Sequence, residues 1–574
     1  MKRVEHPNPQ KRHSSFVNLN GQWEFEYDNC CVGKDKKYFE REHLDMTIEV
    51  PFCPESTLSG IGNTDFINAV WYRRDIDLAS DDLKGTVLIT FGAVDYKTEV
   101  YVNGILASTH IGGYTPFTVD MTPFAKIGKN SLCVYALDNQ RDNLPRGKQC
   151  PKLHSCRCDY TRTTGIWQTV YMEILPKDYI KNVRLTPDAE NSTVLAEVFT
   201  VGVGTISAEV FYKGKKVGEC TKKANSYKTD MCIKLSETHL WEVGHGRLYD
   251  IIFKLGNDTF HSYFGLRCVK IEGKKFLINN KSVFQRLVLD QGFYEDGIYT
   301  APNKEALEKD VLLGQSLGFN GARPHMKVFE PLYLYYCDKH GYITWGEFPC
   351  WGLNYHTHST LNITLPQWLE QIDRDYSHPS IVGWCPFNET KISQQEPAEM
   401  AVHDSILSNV YLVTKALDTT RPCIDSSGYV HQNNNDIFDI HYYKQSSDEV
   451  KAICDELSTG VTPYSKELLR VTRGRIYNGT LPLFLSEFGG ARWSDKKYDS
   501  WGYGEDPKTE QEFLTRYNDL CSVIMDNPDF FGFCYTQLYD IEQEQNGLCY
   551  YNRTPKFDIA LLKAAINRSA EIEK

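Results

Sequence analysis

IVGWCPFNE at 381–389 and its counterpart LPLFLSEFGG at 481–490 decide the architecture. Each is a continuous apolar run of strand length, the pattern of a strand buried on both faces. Each terminates in a polar residue followed by a glutamate, Asn388-Glu389 and Ser486-Glu487. Six more runs of the same kind lie at 282–290, 319–325, 342–348, 422–428, 437–443 and 530–540. Amphipathic stretches separate them. Within 402–417, Val402, Ile406, Val410, Val413 and Leu417 recur at spacings of four, four, three and four, which predicts a helix with one apolar stripe. Residues 305–317 predict another, and Asp418-Thr419-Thr420 stops the first before Arg421-Pro422. Eight strands alternating with helices predict a closed parallel (β/α)8 TIM barrel over 269–574. The rival, an open doubly wound sheet, would carry a glycine-rich phosphate loop after its first strand, and DQGFYEDG at 290–297 does not match GxGxxG.

Upstream the rhythm is β throughout. GQWEFEY (21–27), TVLITFGA (86–93), KTEVYVNG (97–104) and SLCVYAL (131–137) are short runs broken by turn signals. Asn103-Gly104 is a tight-turn dipeptide between the runs 99–102 and 105–107. Residues 1–176 therefore predict a jelly-roll β-sandwich. VLAEVFT (194–200), AEVFYKG (208–214), YDIIFKLG (249–256) and FHSYFG (260–265) predict an immunoglobulin-like β-sandwich over 177–268. The expected fold is multidomain, β plus α/β: jelly roll, immunoglobulin-like sandwich, barrel. KFDIALLKAAINRSAEIEK (556–574) reads as the helix that closes the barrel.

Acidic residues outnumber basic ones by 75 to 63, which argues against a nucleic-acid binder. MKRVEHPNPQKRHSS at the start lacks the apolar core of a secretory signal, and no apolar run has the ~18 residues of a membrane span. A cytoplasmic protein without membrane or nucleic-acid partners is expected, its 18 cysteines reduced. Homo-oligomerisation is left open. Cys150, His154, Cys156 and Cys158 in CPKLHSCRC gather metal-ligating residue types, but not at the CxxC spacing that structural zinc prefers.

In a barrel of this kind the strands' C-terminal ends form the reaction face. Glu389 and Glu487 then project from the rim on opposite sides of the mouth. Such a pair can cleave a glycosidic bond: one carboxyl donates a proton to the leaving oxygen, and the other attacks the anomeric carbon. Two carboxylates supply both roles, so no metal or other cofactor is expected.

At these residues the chain resembles glycoside hydrolase family 2, which includes β-galactosidases, β-glucuronidases and β-mannosidases. DRDYSHPSIVGWCPFNE (373–389) resembles the family's acid/base signature and LPLFLSEFGG its nucleophile signature. NGARPHMKVFEPLYLYYCDKHGYITWGE (320–347) resembles strands two and three of its barrel. VPFCPESTLSG (50–60), VWYRRDIDL (70–78), YVNG (101–104) and TGIWQTVYMEI (164–174) resemble marks of its jelly roll. The resemblance implies that Glu389 is the acid/base and Glu487 the nucleophile. It implies that Asn388 binds the sugar 2-hydroxyl, that Tyr442 orients the nucleophile and that Arg323 keeps it ionised. Asp290 and Gln291 at the end of strand one, with His325, Tyr535, Glu542 and Asn546, complete the expected substrate-binding set.

Three departures bear on the sugar. Met326 stands where the family often has a histidine, with His325 one residue earlier. Tyr535 stands where strand eight usually supplies a tryptophan. Asn546-Gly547-Leu548 lacks the lysine of the Asn-x-Lys motif by which glucuronide-specific members hold the sugar carboxylate. The expectation is a retaining exo-β-glycosidase, with β-galactosidase as its main activity. Within the class the alternatives are a β-hexuronidase (β-glucuronidase or β-galacturonidase) and an α-L-arabinofuranosidase; outside it, a non-catalytic carbohydrate-binding protein. A hexuronidase would need another cation, and Arg146, Lys148 and Arg162 in a first-domain loop (PRGKQ, 145–149; DYTRTTGIW, 159–167) are the candidates.

Overall fold

The computed structural model describes residues 3–139, 143–390, 397–477, 479–494 and 500–574. The first sandwich packs a six-stranded antiparallel sheet on a four-stranded one. In Gly21–Tyr27, Trp23 and Phe25 point inward while Gln22 is exposed, the period-two alternation of a half-buried strand. Val70, Val100, Val134, Ile89 and Val170 fill the space between the sheets. Asn103 and Gly104 both take positive φ, 51° and 80°, and close the hairpin of Lys97–Val102 with Ile105–Ile111 as a two-residue turn of that hand requires.

The second sandwich sets a three-stranded sheet, Tyr179–Asp188, Thr193–Val201 and Lys228–Lys234, against a five-stranded one. The edge of the larger sheet is Arg12–His13, from the beginning of the chain, paired with Phe260 and His261.

The barrel is one parallel sheet. Its strands are Gln285–Asp290, Gly321–Pro324, Ile343–Glu347, Ile381–Cys385, Phe438–Tyr442, Leu483–Gly489 and Phe530–Thr536. That is seven strands among the described residues, where the sequence predicts eight. The expected fifth, 422–428, joins its neighbour only through isolated bridges, Trp384 to Cys423 and Asn388 to Ser427. Its amides on the other side are taken by side chains: Asp436 accepts from Cys423 at 2.8 Å and Asn435 from Asp425 at 3.2 Å. Pro422 has no N–H to give. The segment keeps its place in the ring without the ladder of a strand.

Lys304–Ser316 and Pro397–Leu417 form the two helices expected most clearly. On the second the buried face runs through His403, Ile406, Leu407, Val410, Tyr411 and Thr414, so Val413 and Leu417 lie on its flank. The barrel core extends into the first sandwich through Tyr114, Tyr160 and Trp167. Trp167 donates to Gly113 O at 2.7 Å, and its own carbonyl accepts from Thr300 at 2.5 Å. The first sandwich is thereby fastened beside the barrel mouth.

Candidate active site

Glu487 lies near the C-terminal end of the apolar strand Leu483–Gly489, whose register shifts against both neighbours near this point, between Leu485 and Phe488 on one side and opposite Ile440/His441 on the other. Such irregularities re-aim side chains at strand ends. Glu487 is 4% exposed. Arg323 Nη1 donates to its Oε1 at 3.0 Å, and Tyr443 Oη donates to its Oε2 at 2.5 Å. Glu389 faces it. Its φ of 47° is the left-handed region that side chains other than glycine adopt at a cost of ~1–3 kcal/mol, and its amide is fixed to Ser427 O at 2.8 Å.

His441 stands between the two. Its Nδ1 lies 2.8 Å from Glu389 Oε1 and 3.3 Å from Glu487 Oε2. One ligand atom from each of Glu389, His441 and Glu487 falls within 4.8 Å of the other two, so the two carboxylates approach to within that distance. This trio is also the one group of three among the described residues that could hold a metal. Arg323, 3.0 Å from Glu487 and 3.5 Å from His441 Nε2, brings a fixed positive charge that disfavours a dication there.

Charge is densely managed around the pair. Burial alone pushes the Glu389 carboxyl up, but the hydrogen bond and charge of His441, with Lys148 and Tyr429, bring it down to about 2. Burial lowers His441, and Glu487 and Glu389 outweigh it, so the imidazole is raised above its ordinary value. Glu347 was not among the expected residues. It accepts from Arg323 Nε at 2.5 Å and from the Met326 amide at 3.0 Å, and lies 2.7 Å from His325 Nδ1. Burial raises its carboxyl, while Arg323 and His325 hold it down at about 2. Arg323 also gives Nη2 to Asn388 Oδ1 at 2.6 Å. That fixes the Asn388 amide with its buried Nδ2 left without a hydrogen-bond partner.

The other expected residues divide. His325 is in the site, its Nε2 3.9 Å from Glu487. Tyr442 is not the tyrosine that meets Glu487: strand alternation turns it toward Glu467, and Tyr443, one residue on, takes that place. Tyr535 faces away from the mouth and packs edge-on against Phe488 and Tyr517; the next residue, Thr536, meets Tyr443 at 3.2 Å. Asp290 has both oxygens engaged by Tyr539, Tyr333 and the Gly292 amide. Burial, with Asp310 nearby, raises it to about 6. Gln291, Gln537, Asn546, Glu544 and Tyr160 close a buried ring of hydrogen bonds. Glu542 accepts the Thr161 amide at 3.0 Å and so anchors the first-domain loop, while Glu544 is the carboxylate that sits beside Lys148.

That loop does reach the barrel mouth, and its three cations have different fates. Arg146 pairs with Asp159 at 2.9 Å. Arg162 donates to the carbonyls of Lys152, Leu153 and Thr64. Both hold the loop together. Lys148 points into the site, 6% exposed, its ammonium 3.8 Å over the Trp351 ring. Burial lowers it, but Cys158, Glu544, Glu487 and Glu389 together raise it. Among the described residues its ammonium makes no hydrogen bond or ion pair, while its backbone carbonyl accepts from the Tyr160 amide at 2.7 Å. Cys158 faces Lys148, whereas Cys150 interacts with Cys156 and with His154 O, so the four residues of CPKLHSCRC do not converge on one point.

Residues 16–176, 178–267 and 269–570 match family models described as the sugar binding domain of glycosyl hydrolases family 2, glycosyl hydrolases family 2, and the TIM barrel domain of that family. A curated Beta-glucuronidase of Sus scrofa is 26% identical over 460 residues, covering 72% of this chain and 68% of that protein. A Putative beta-glucuronidase of Formosa agariphila is 26% identical over 338 residues, 56% of this chain and 39% of that much longer protein. Among solved structures, a Lactobacillus rhamnosus Beta-glucuronidase superposes with a TM-score of 0.80 at 19% identity, covering 100% of this chain and 99% of that one. A b-glucuronidase from Ruminococcus gnavus in complex with D-glucuronic acid gives 0.78 at 18%, covering 98% and 99%. At these identities the structural likeness establishes the fold. No helix of the described residues is long and apolar enough to cross a membrane.

Proposed function

The chain belongs to glycosyl hydrolases family 2, a family of glycoside hydrolases, and on that premise we propose that it hydrolyses terminal β-hexuronides, glucuronide or galacturonide, by a retaining double displacement. The observation that carries this reading is Lys148, a buried ammonium without a hydrogen-bond or ion-pair partner among the described residues, held over Trp351 beside Glu389, Glu487 and Glu544. The neighbouring carboxylates keep this ammonium charged, yet none of them bonds it directly, so its N–H donors are open to an anion that enters the site. A uronate carboxylate is that anion. The expectation of a β-galactosidase is corrected: the matched curated relatives are named Beta-glucuronidase and Putative beta-glucuronidase, and they overturn it. Leu548 removes the family's usual carboxylate-binding lysine, and Lys148 supplies a replacement from the first sandwich.

In this reading Glu389 is the acid/base and Glu487 the nucleophile. Their approach within 4.8 Å suits the ~5–5.5 Å carboxyl separation of retaining enzymes. Arg323 and Tyr443 hold Glu487 in place as the nucleophile, each donating a hydrogen bond to one of its oxygens. The free Asn388 Nδ2 is the donor for the sugar 2-hydroxyl, a bond that strengthens toward the oxocarbenium-like transition state. Tyr503, stacked on Tyr443 at 3.5 Å, forms an aromatic wall for the ring. Eighteen free cysteines suit a reducing, cytoplasmic compartment.

The test is a panel of nitrophenyl glycosides: β-glucuronide, β-galacturonide, β-glucoside, β-galactoside and α-L-arabinofuranoside. A uronide is expected to be the best substrate. Lys148→Met should cost about 10²-fold or more in kcat/KM on that uronide and little on its neutral counterpart. Equal loss on both sugars, or a neutral glycoside as the preferred substrate, overturns the assignment.

A further inference from the structure

We propose that His441 is the proton reservoir of the carboxylate pair, a positioning residue that stores, in the free protein, the proton Glu389 hands to the leaving group. The inference rests on the assignment of Glu389 as acid/base and Glu487 as nucleophile.

The geometry places a proton on Nδ1 and gives Nε2 two polar neighbours, Ser427 Oγ and Arg323 Nη1. Nδ1 faces two carboxylate oxygens, Glu389 Oε1 at 2.8 Å and Glu487 Oε2 at 3.3 Å, and an N–H there meets both ionised carboxylates. Nε2 lies 3.1 Å from Ser427 Oγ. Ser427 gives its own hydroxyl proton to Asp439 Oδ2 at 2.6 Å, so its oxygen accepts from the ring. Asp439 in turn lies 3.2 Å from His431. A chain of acceptors thus stabilises the imidazolium from behind while the catalytic carboxylates face it in front. The opposing group is Arg323, whose Nη1 points at Nε2 from 3.5 Å and favours the neutral ring; its guanidinium is at the same time engaged by Glu347 and Glu487. Tyr429 packs near the ring at 6.0 Å and bonds Glu389. The ring cannot drift: Gly428, at a φ of 95°, lies so close that an added Cβ would come within 2.5 Å of Nδ1. The raised imidazole and depressed Glu389 agree with this placement of the proton.

In the first half-reaction the proton moves from Nδ1 to Glu389 and on to the glycosidic oxygen. The C1–O bond breaks and a Glu487 oxygen bonds C1. In the second, water attacks C1, its proton returns through Glu389 to Nδ1, and the Glu487–C1 bond breaks. Charge and protons balance over the cycle.

The test compares phenyl and dinitrophenyl versions of the preferred uronide, the second of which leaves without a proton. His441→Gln should lower kcat/KM by about 10²-fold on the phenyl substrate and by under about tenfold on the dinitrophenyl one. It should also move the alkaline limb of the phenyl pH profile by about one unit or more. In His441→Gly, added imidazole should restore the phenyl rate. In the unaltered protein, the alkaline limb should shift with temperature as an imidazole does, whereas a carboxyl barely shifts, a readout independent of whether either variant folds. Equal losses on both substrates with an unmoved limb, or a temperature-insensitive alkaline limb, overturn the proposal. A wild-type protein without activity on any uronide sinks the parent assignment instead.

Discussion

At the scale of single residues, the site works because few groups are left free. Arg323 spends its guanidinium on Glu347, Glu487 and Asn388, and the one polar atom it leaves unengaged on that amide is Nδ2. Asn388→Ala should therefore lower kcat/KM by roughly 10²-fold on a normal uronide. On a 2-deoxy uronide the same variant should match wild type, because the partner of the lost donor is gone. A loss of similar size on both would mean that Asn388 acts only by holding Arg323. Glu389 and Glu487, the proposed pair, are legible because each closes an apolar run of sequence, where position along the run implies position near the rim, although the strands themselves are Ile381–Cys385 and Leu483–Gly489. Glu347 closes the strand Ile343–Glu347 and carries the same signal. His441 gave no sequence signal: a histidine inside a strand reads as core, and only the meeting of separate strands puts it between two carboxylates.

At the scale of elements, alternation and its interruptions decide what faces the mouth. A one-residue shift exchanges the two faces of a strand. The choice between Tyr442 and Tyr443 turned on such a shift, beside the irregular pairing of Ile440 and His441, and periodicity cannot locate that from a sequence. The consequence is measurable. Tyr443→Phe should reduce kcat by on the order of 10–100-fold, the worth of a hydrogen bond to a charged group. Tyr442→Phe should stay within about twofold, since its hydroxyl meets Glu467 away from the pair. Steady-state rates on the preferred uronide decide it, and a larger effect at Tyr442 would reverse the assignment. The fifth barrel position was legible as an apolar run, but not as a segment whose amides go to Asp436 and Asn435, because those bonds depend on a loop folding back over it.

At the scale of the whole molecule, buried ionisable groups couple stability to pH. Burial raises Glu55 and Glu173 to about 7 and Asp290 to about 6, so these carboxyls are favoured neutral in the folded state. Their contribution improves as pH falls through those values toward the ordinary carboxylate range. His431 is lowered by burial but raised more strongly by Asp425 and Asp439, to about 10, and its contribution is fully present below its ordinary value and lost as pH climbs toward 10. His6, driven by burial to about 3, opposes them as pH drops below its ordinary range. Below ordinary carboxylate values the sign reverses, since Glu347, Glu389, Asp404 and Asp439, all held near 2, lose their contribution on protonation. Thermal melting should thus peak at about pH 5 and fall toward both about pH 8 and about pH 3. A melting temperature that rises monotonically from acid to neutral would contradict this. The three-part layout itself was legible because each part has its own hydrophobic period, whereas the loop that carries Lys148 has none, so its reach into the barrel mouth could not be read. On the proposed assignment, the cation that selects the substrate and the carboxylates that break the bond lie in separate stretches of the chain, so substitutions in one loop of the first sandwich would change the diet of the pocket and leave its machinery of cleavage as it is.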